Sequence, residues 1–146
     1  MPTASPNLVC IDPKRINEFW PLARELIRSA IDYTELSEFS GIERDVLLGN
    51  QLLWLAVSHV QTVGHSIEAA ATTQLIKVNE QKICVLTACA GHDRRRWLPL
   101  FELIEKYAAE EGCVKMRIYG RPGWQRVLQG YLPEYVILEK QLHGRH

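Results

Sequence analysis

Apolar residues recur at helical spacing in two long segments of the chain. Asp12 and Pro13 supply a capping carboxylate and a first-turn proline for the first helix. Its apolar positions, three or four residues apart, are Ile16, Phe19, Trp20, Ala23, Ile27, Ala30 and Ile31. In the second segment the apolar stripe is Trp97, Phe101, Ile104 and Ala108, with Gly112 placed to end the helix. Because proline is tolerated only in a first turn, Pro99 predicts that this helix begins between Arg95 and Leu98.

Other segments have the composition or alternation of β-strands. They are Leu8–Ile11, Leu52–Val60, Glu68–Val78, Lys82–Ala90, Val114–Tyr119 and Glu134–Leu142. Shorter helices are expected before Gly49 and between Pro122 and Gly130. The resulting order, β-α-(α)-β-β-β-α-β-α-β, predicts an α/β fold. It has a central mixed sheet, mostly antiparallel, with helices on both faces, in a single domain spanning residues 1–146.

Composition and charge exclude several classes of protein. The 146 residues are 47% hydrophobic and 23% charged, as in ordinary globular domains, and the formal net charge is zero. No global field therefore draws the chain to nucleic acid, which is disfavoured as a partner. No apolar run is long enough for a membrane helix, and the first residues do not resemble a secretory signal. We expect no membrane partner and a cytoplasmic location.

The four cysteines predict neither a metal site nor a nucleophile. Cys10, Cys84, Cys89 and Cys113 form no CxxC pair, and all lie in apolar surroundings. Cys89 lies in a predicted strand without a histidine at a diagnostic spacing. We therefore expect reduced, structural thiols and no metal.

Arg94, Arg95 and Arg96 stand between a predicted buried strand and a helix N-terminus. A helix dipole disfavours cations there, whereas free N–H groups and guanidinium groups together suit an anion such as phosphate. The run can instead be a solvated surface neutralised in part by Asp93. Both interpretations remain open from the sequence.

The strand order and this junction resemble the GNAT superfamily of acyl-CoA-dependent N-acyltransferases, from about Leu8 to Leu142. The stretch "KICVLTACAGHDRRRWLPLFELIEKYAAEEGC" matches the family's fourth strand, pyrophosphate loop and third helix. "VKMRIYG" corresponds to the fifth strand, "RPGWQRVLQG" to the fourth helix and "YLPEYVILEKQL" to the sixth strand. The chain looks like the short, divergent members found in phages and prophages. Gly130-Tyr131 looks like the family's Gly-Phe, which favours a core role for Tyr131.

The resemblance implies an N-acetyltransferase that uses acetyl-CoA, or another acyl-CoA, as its cofactor. The amine of an unidentified small molecule or peptide attacks the thioester directly. The implied cofactor-binding residues are Thr87, Ala88, Cys89, Gly91, His92, Arg94, Arg95, Arg96 and Trp97. Tyr119 is the candidate proton donor, and it can equally be a packing residue. Glu35 and Glu38 are candidates for binding a cationic acceptor, with a solvated acidic loop as the alternative.

Two departures from the family pattern keep an alternative function open. The loop has Gly91 but no second glycine at the family spacing, and the fourth helix lacks the family's tyrosine. A catalytically inactive GNAT-like binding or assembly protein, of phage origin, is the alternative. A homodimer is compatible with either. Glu68, His59 and His65 are weaker candidates for a general base, and the sequence does not choose among them.

Overall fold

The computed structural model describes residues 5–31, 38–60, 64–119 and 123–142. In chain order the elements are β1 (Asn7–Cys10), a 3-10 turn (Pro13–Arg15), α1 (Ile16–Ile31), α2 (Phe39–Leu48), β2 (Leu52–Val60), β3 (Gly64–Val78), β4 (Gln81–Gly91), α3 (Arg94–Trp97), a second 3-10 turn (Leu98–Leu100), α4 (Phe101–Glu110), β5 (Lys115–Ile118) and α5 (Gly123–Val127). The strands form one five-stranded sheet in the order β1-β2-β3-β4-β5. Its first three pairings are antiparallel, and β4 and β5 are parallel. The predicted mixed, mostly antiparallel sheet is confirmed.

One face of the sheet is covered by α1 and α2. The Asp12 carboxylate accepts a hydrogen bond of 2.9 Å from the backbone N–H of Lys14, which caps the turn leading into α1. The apolar stripe of α1 then packs on the sheet. Its buried members are Ile16, Trp20, Ala23, Ile27 and Ile31. They join Leu53 and Leu55 of β2 in one core cluster, so the amphipathic pattern predicted this helix and its buried face correctly.

The opposite face carries α3, α4 and α5. Alternate residues of β2, Trp54 and Ala56, point to this side and pack with Trp97, Phe101 and Ile104. The Trp54 indole N–H also donates to the Thr73 hydroxyl at 2.9 Å, which satisfies its one polar atom in the core. The core therefore lies in two layers, one on each side of the sheet, as the strand and helix pattern predicts.

The structure corrects the predicted start of the helix after β4. This segment is helical from Arg94, becomes a 3-10 turn over Leu98–Leu100, and resumes as an α-helix at Phe101. Pro99 has no N–H to bond the carbonyl four residues earlier, and its ring disfavours a continuous α-helix. The proline thus interrupts the helix instead of marking its start.

The strand boundaries need two further corrections. Strand β3 begins at Gly64, four residues before the predicted Glu68, because the hairpin ladder with β2 extends as far as the pair Val60 and Gly64. Gly64 adopts a φ of +85°, which glycine accepts without strain. The sixth strand predicted over Glu134–Leu142 is not formed, and these residues lie outside the sheet. Alternation alone predicted this strand, whereas a strand also requires a ladder partner.

Candidate functional site

Strands β4 and β5 separate partway along their length. Their parallel ladder runs from the pair Ile83 and Lys115 to the pair Leu86 and Ile118 and then ends. Strand β4 continues to Gly91, paired only with β3 on its other side. The edge of β4 beyond Leu86 is therefore left without a neighbouring strand within the described residues. A cleft of about 610 Å³ lies along this edge.

A β-bulge in β4 lies at the point of separation. Thr72 of β3 pairs with Ala88, and the next residue, Thr73, pairs with Leu86, which leaves Thr87 as an extra residue on β4. A bulge bends its strand and increases the local twist. The bulge at Thr87 therefore turns β4 away from β5 immediately after their last paired residues.

The cleft brings together most of the predicted cofactor-binding residues. It is lined by Thr87, Ala88, Cys89, Gly91, His92, Arg94 and Trp97, together with Ala90 and Leu86. Its other walls come from α1 (Leu26, Ser29, Ala30 and Ile31) and from Ile118, Tyr119 and Trp124. Of the predicted set, only Arg95 and Arg96 are absent from the lining in the part of the chain that the structure describes.

The three adjacent arginines take three different environments. Arg94 is exposed and lines the cleft. The Arg95 side chain is 93% exposed and lies 3.6 Å from the Asp93 carboxylate. Arg96 is directed to Glu68, where its Nε and Nη2 atoms donate at 2.7 Å and 2.9 Å to the two carboxylate oxygens. The three guanidinium groups therefore do not converge on the cleft, because Arg95 is solvated and Arg96 is in a bidentate ion pair.

Glu68 is itself the extra residue of a second bulge. In β2, Ala56 pairs with Ala69 and Val57 pairs with Ile67, so Glu68 has no partner on that strand. A bulge re-aims the side chain it carries, and Glu68 points to Arg96 with only 12% of its side chain exposed. The Arg96 guanidinium, aided by the Ser58 hydroxyl, holds the pKa of the Glu68 carboxyl below its usual range. A carboxylate held in an ion pair, with its pKa lowered, makes a poor general base, so Glu68 does not suit that role.

Gly91 is required for close contact between β3 and β4. A Cβ atom on Gly91 would lie 2.5 Å from Ala69 Cβ and 2.6 Å from the Glu68 carbonyl oxygen. The next residue, His92, donates its backbone N–H to that same carbonyl at 2.9 Å. The Trp97 indole N–H in turn donates to the His92 carbonyl at 2.8 Å. These contacts fix the loop after β4 to the bulge at Glu68, and they give Trp97 the core role that its spacing predicted.

Tyr119 follows the last residue of β5 and lines the cleft with 41% of its surface exposed. Tyr119 is thus part of the wall that a molecule bound in the cleft would contact. Cys89 also lines the cleft, and burial raises the pKa of its thiol to about 12. A thiol with this pKa stays protonated at neutral pH, in agreement with the prediction that Cys89 is not a nucleophile.

The remaining predicted site residues lie elsewhere. Glu35 lies outside the described residues, and Glu38 is an exposed residue at the start of α2 that is not part of the described cleft lining. Glu43 of α2, which is not one of the predicted residues, is also engaged elsewhere: its carboxylate accepts hydrogen bonds from Arg24 at 2.6 Å and from the Trp20 indole at 2.7 Å, which lower its pKa. The imidazole rings of His59 and His65 face each other across the β2–β3 hairpin, 5.5 Å apart.

Membrane-spanning helices, metal sites and a second cavity were the other features that could indicate a function. The longest described helix, α1, has 16 residues, and no helix in the described ranges combines the length and apolar character that crossing a bilayer requires. Among the same residues, no three His, Cys, Asp or Glu side chains are grouped as metal ligands. A second cavity, of about 20 Å³, lies inside the apolar cluster beside Trp54 and Phe101. The cleft along β4 is therefore the main candidate site.

Comparison with known proteins supports the fold. No protein-family model matches the sequence, and no curated protein sequence matches it. Among solved structures, an aminoglycoside acetyltransferase from an uncultured soil metagenomic sample, in complex with sisomicin, superposes with a TM-score of 0.64 at 12% identity, covering 94% of this chain and 95% of that chain. An aminoglycoside N-acetyltransferase in complex with CoA superposes with a TM-score of 0.59 at 16% identity, covering 94% of this chain and 95% of that chain.

A GNAT family acetyltransferase from Staphylococcus aureus subsp. aureus gives a TM-score of 0.62 at 12% identity, covering 94% of this chain and 99% of that one. At identities this low, similarity of structure establishes the fold, whereas activity belongs to the site. The element order, the mixed sheet and these superpositions agree with one another. The chain has the fold of the GNAT acetyltransferases.

Proposed function

We propose that this protein is an N-acetyltransferase that binds acetyl-CoA, or another acyl-CoA, in the cleft along β4. The observation that carries the proposal is the separation of β4 from β5 at the Thr87 bulge. The separation leaves a strand edge with backbone N–H and C=O groups available to an extended amide chain. The pantetheine arm of CoA is such a chain, and a cleft of about 610 Å³ has room for it.

The residues along the cleft fit an acyl-CoA in three respects. The edge from Thr87 to Ala90 offers hydrogen-bonding groups for the amides of the pantetheine arm. Apolar side chains from α1 and β5 would pack against its methylene groups. Arg94 would supply a bidentate donor for the pyrophosphate. Arg95 and Arg96 are left out of this set, so Arg94 is the one member of the arginine run that we assign to the ligand.

Acetyl-CoA supplies the acetyl group as a thioester that an amine can attack without an enzyme-bound intermediate. The protein's part is to hold the two substrates in line and to manage protons. We assign the proton donor to Tyr119, whose hydroxyl would protonate the sulfur as the carbon–sulfur bond breaks. The acceptor nitrogen bonds to the acetyl carbon and releases its extra proton to water. No described carboxylate in the cleft lining offers a better base.

The acceptor is proposed only as an amine of a small molecule or peptide. Several of the structural neighbours are aminoglycoside acetyltransferases, including one in complex with sisomicin. A polycationic acceptor of that kind needs carboxylates to bind its ammonium groups, and we propose Glu35 and Glu38 for that role. We place the reaction in the cytoplasm, where acyl-CoA and reduced thiols are both present.

Thiol release with acetyl-CoA and a panel of amines, including aminoglycosides and peptides, tests the activity. We expect turnover with at least one amine and a fall in kcat of about 100-fold in Tyr119→Phe, the size typical of losing a positioned acid. Tyr135→Phe is the control, because Tyr135 is outside the described cleft lining and the change removes only a hydroxyl while keeping the aromatic ring. Binding of acetyl-CoA without turnover of any amine would instead support the non-catalytic alternative.

We also propose a homodimer in which the segment Leu132–Leu142 contacts a second copy of the chain. Its large apolar side chains are 60–90% exposed, and they are Leu132, Tyr135, Val136, Ile137, Leu138 and Leu142. Stable interfaces bury roughly 800 Å² per subunit, and six such side chains supply an area of that order. A two-fold arrangement covers both copies of the segment at once.

A further inference from the structure

The bulge in β4 is held by a buried chain of polar side chains that lies behind the cleft. The Thr87 hydroxyl lies 2.6 Å from Gln51 Oε1 and 2.7 Å from the Thr72 hydroxyl. Gln51 Nε2 in turn donates to an Asp45 carboxylate oxygen of α2 at 3.3 Å. Thr72, Thr87 and Gln51 are at least nine-tenths buried. Four side chains thus connect β3, the bulge and α2.

The side-chain hydrogen bonds that link Thr72, Thr87, Gln51 and Asp45 can form together, with each side chain donating to the next. A hydroxyl has one proton, and the short bond to Gln51 Oε1 takes the proton of Thr87. Thr87 then accepts from Thr72, and the Gln51 amide donates onward to Asp45, which is an acceptor only. Asp45 also accepts the backbone N–H of Gln51 through its carbonyl at 3.1 Å, so Gln51 is fixed at both its backbone and its side chain.

From this arrangement we propose that Gln51 is a positioning residue for the cleft. It does not itself line the cleft among the described residues, and it acts through Thr87. A bulged residue has no partner on the neighbouring strand, so its conformation must be set by other contacts. Thr72 provides such a contact from the neighbouring strand, and Gln51 provides the shortest one, at the residue where β4 departs from β5. This inference rests on the proposed function, because its consequence is the affinity of the cleft for acyl-CoA.

Thr73 gives a matched control within the same strand. It is as buried as Thr72, and its hydroxyl also accepts one buried hydrogen bond, from the Trp54 indole on the other face of the sheet. Thr73→Val therefore removes a buried hydroxyl, and we expect it to lower the free energy of unfolding by about as much as Thr87→Val does. It leaves the chain of Thr72, Thr87, Gln51 and Asp45 complete.

The experiment measures the Kd of acetyl-CoA by calorimetry and the melting temperature for the full chain and for Gln51→Met, Thr87→Val, Thr87→Ser and Thr73→Val. We expect all three variants that lose a buried polar group to melt lower. Gln51→Met and Thr87→Val should raise the Kd at least tenfold, and Thr73→Val should leave it within about twofold. Thr87→Ser, which keeps the hydroxyl, should bind like the wild type. If Gln51→Met does not fold, the inference is tested by the difference in Kd between Thr87→Val and Thr87→Ser.

Two results overturn the inference, and they are distinguishable. If the wild type binds acetyl-CoA and Thr87→Val or Gln51→Met weakens binding no more than Thr73→Val does, Gln51 stabilises the fold and does not position the cleft. If the wild type itself binds no acyl-CoA, the proposed function fails and the role of Gln51 fails with it.

Discussion

Glu68 illustrates how a single side chain changes the meaning of a sequence motif. Read alone, Arg94, Arg95 and Arg96 are equivalent cations at a helix N-terminus. The bulge in β3 aims the Glu68 carboxylate at Arg96, which ties the loop after β4 to the sheet. Asp93 lies beside Arg95, and Arg94 is left to face the cleft. The sequence contains no signal for this division, because a bulge depends on the register between two strands.

The ion pair predicts a pH-dependent effect of Glu68→Gln on stability. Because the folded-state pKa of Glu68 is lowered, its contribution is complete above the unfolded pKa of about 4.3 and is lost as pH falls through the folded pKa. We expect the variant to lose about 1 kcal/mol of unfolding free energy at pH 7, since a partly buried guanidinium loses its charged partner.

Urea unfolding at pH 7 and again below pH 4 measures this difference. The difference in unfolding free energy between the variant and the wild type should become smaller in acid, because the wild-type carboxyl becomes protonated. Glu18→Gln is the control, because the Arg15–Glu18 pair is on the surface with both side chains about 60% exposed. A gap that is unchanged between the two pH values would show that the charge of Glu68 has no part in its effect.

At the scale of elements, periodic segments were predictable and interruptions were not. The sequence places α1, β2 and the buried β4 within a few residues, because each has a strong apolar pattern. The sequence did not predict the helix break around Pro99 or the two bulges, and it predicted a sixth strand that does not form. Each depends on a partner or a local geometry that one segment does not encode, as the alternation in Glu134–Leu142 shows. The sequence predicted the residues of β4 that line the candidate cleft. It did not predict the bulge at Thr87, where β4 separates from β5.

Gly91 provides a prediction about how β3 and β4 meet. Gly91→Ala would place a Cβ 2.5 Å from Ala69 Cβ, so the two strands must move apart. We expect a loss of about 1–3 kcal/mol, the usual cost of overpacking, measured as the unfolding free energy in urea. Gly41→Ala, within α2, would place a Cβ 4.0 Å from the Arg44 guanidinium, an ordinary contact, and should be neutral or stabilising by up to about 1 kcal/mol. Equal effects of the two changes would contradict the close approach at Gly91.

At the scale of the whole molecule, the apolar surface is unevenly distributed. The helices cover both faces of the sheet, whereas Leu132–Leu142 leaves its large side chains in solvent. Tyr131, just before it, is anchored by packing and by a 2.6 Å hydrogen bond from its hydroxyl to Glu105. An exposed apolar patch of this size indicates an interaction surface.

The proposed dimer predicts a concentration-dependent mass. Sedimentation equilibrium of the full chain should give a dimer at micromolar concentration, and the double variant Val136→Asp, Leu138→Asp should shift the chain to monomer, because buried unpaired carboxylates are costly. Leu22→Asp, an exposed apolar residue on α1, should leave the dimer intact. A wild-type chain that is monomeric at all accessible concentrations would contradict the proposal.

Calorimetric titration of acetyl-CoA into the wild type, Arg94→Ala and Arg95→Ala tests the central claim most directly. The two variants remove the same charge from adjacent residues, one lining the cleft and one solvated. We expect one site per chain in the wild type, a Kd raised about tenfold in Arg94→Ala through loss of a charged hydrogen bond, and a Kd changed by no more than about twofold in Arg95→Ala. No binding by the wild type at millimolar acetyl-CoA, or equal weakening by both variants, would contradict it.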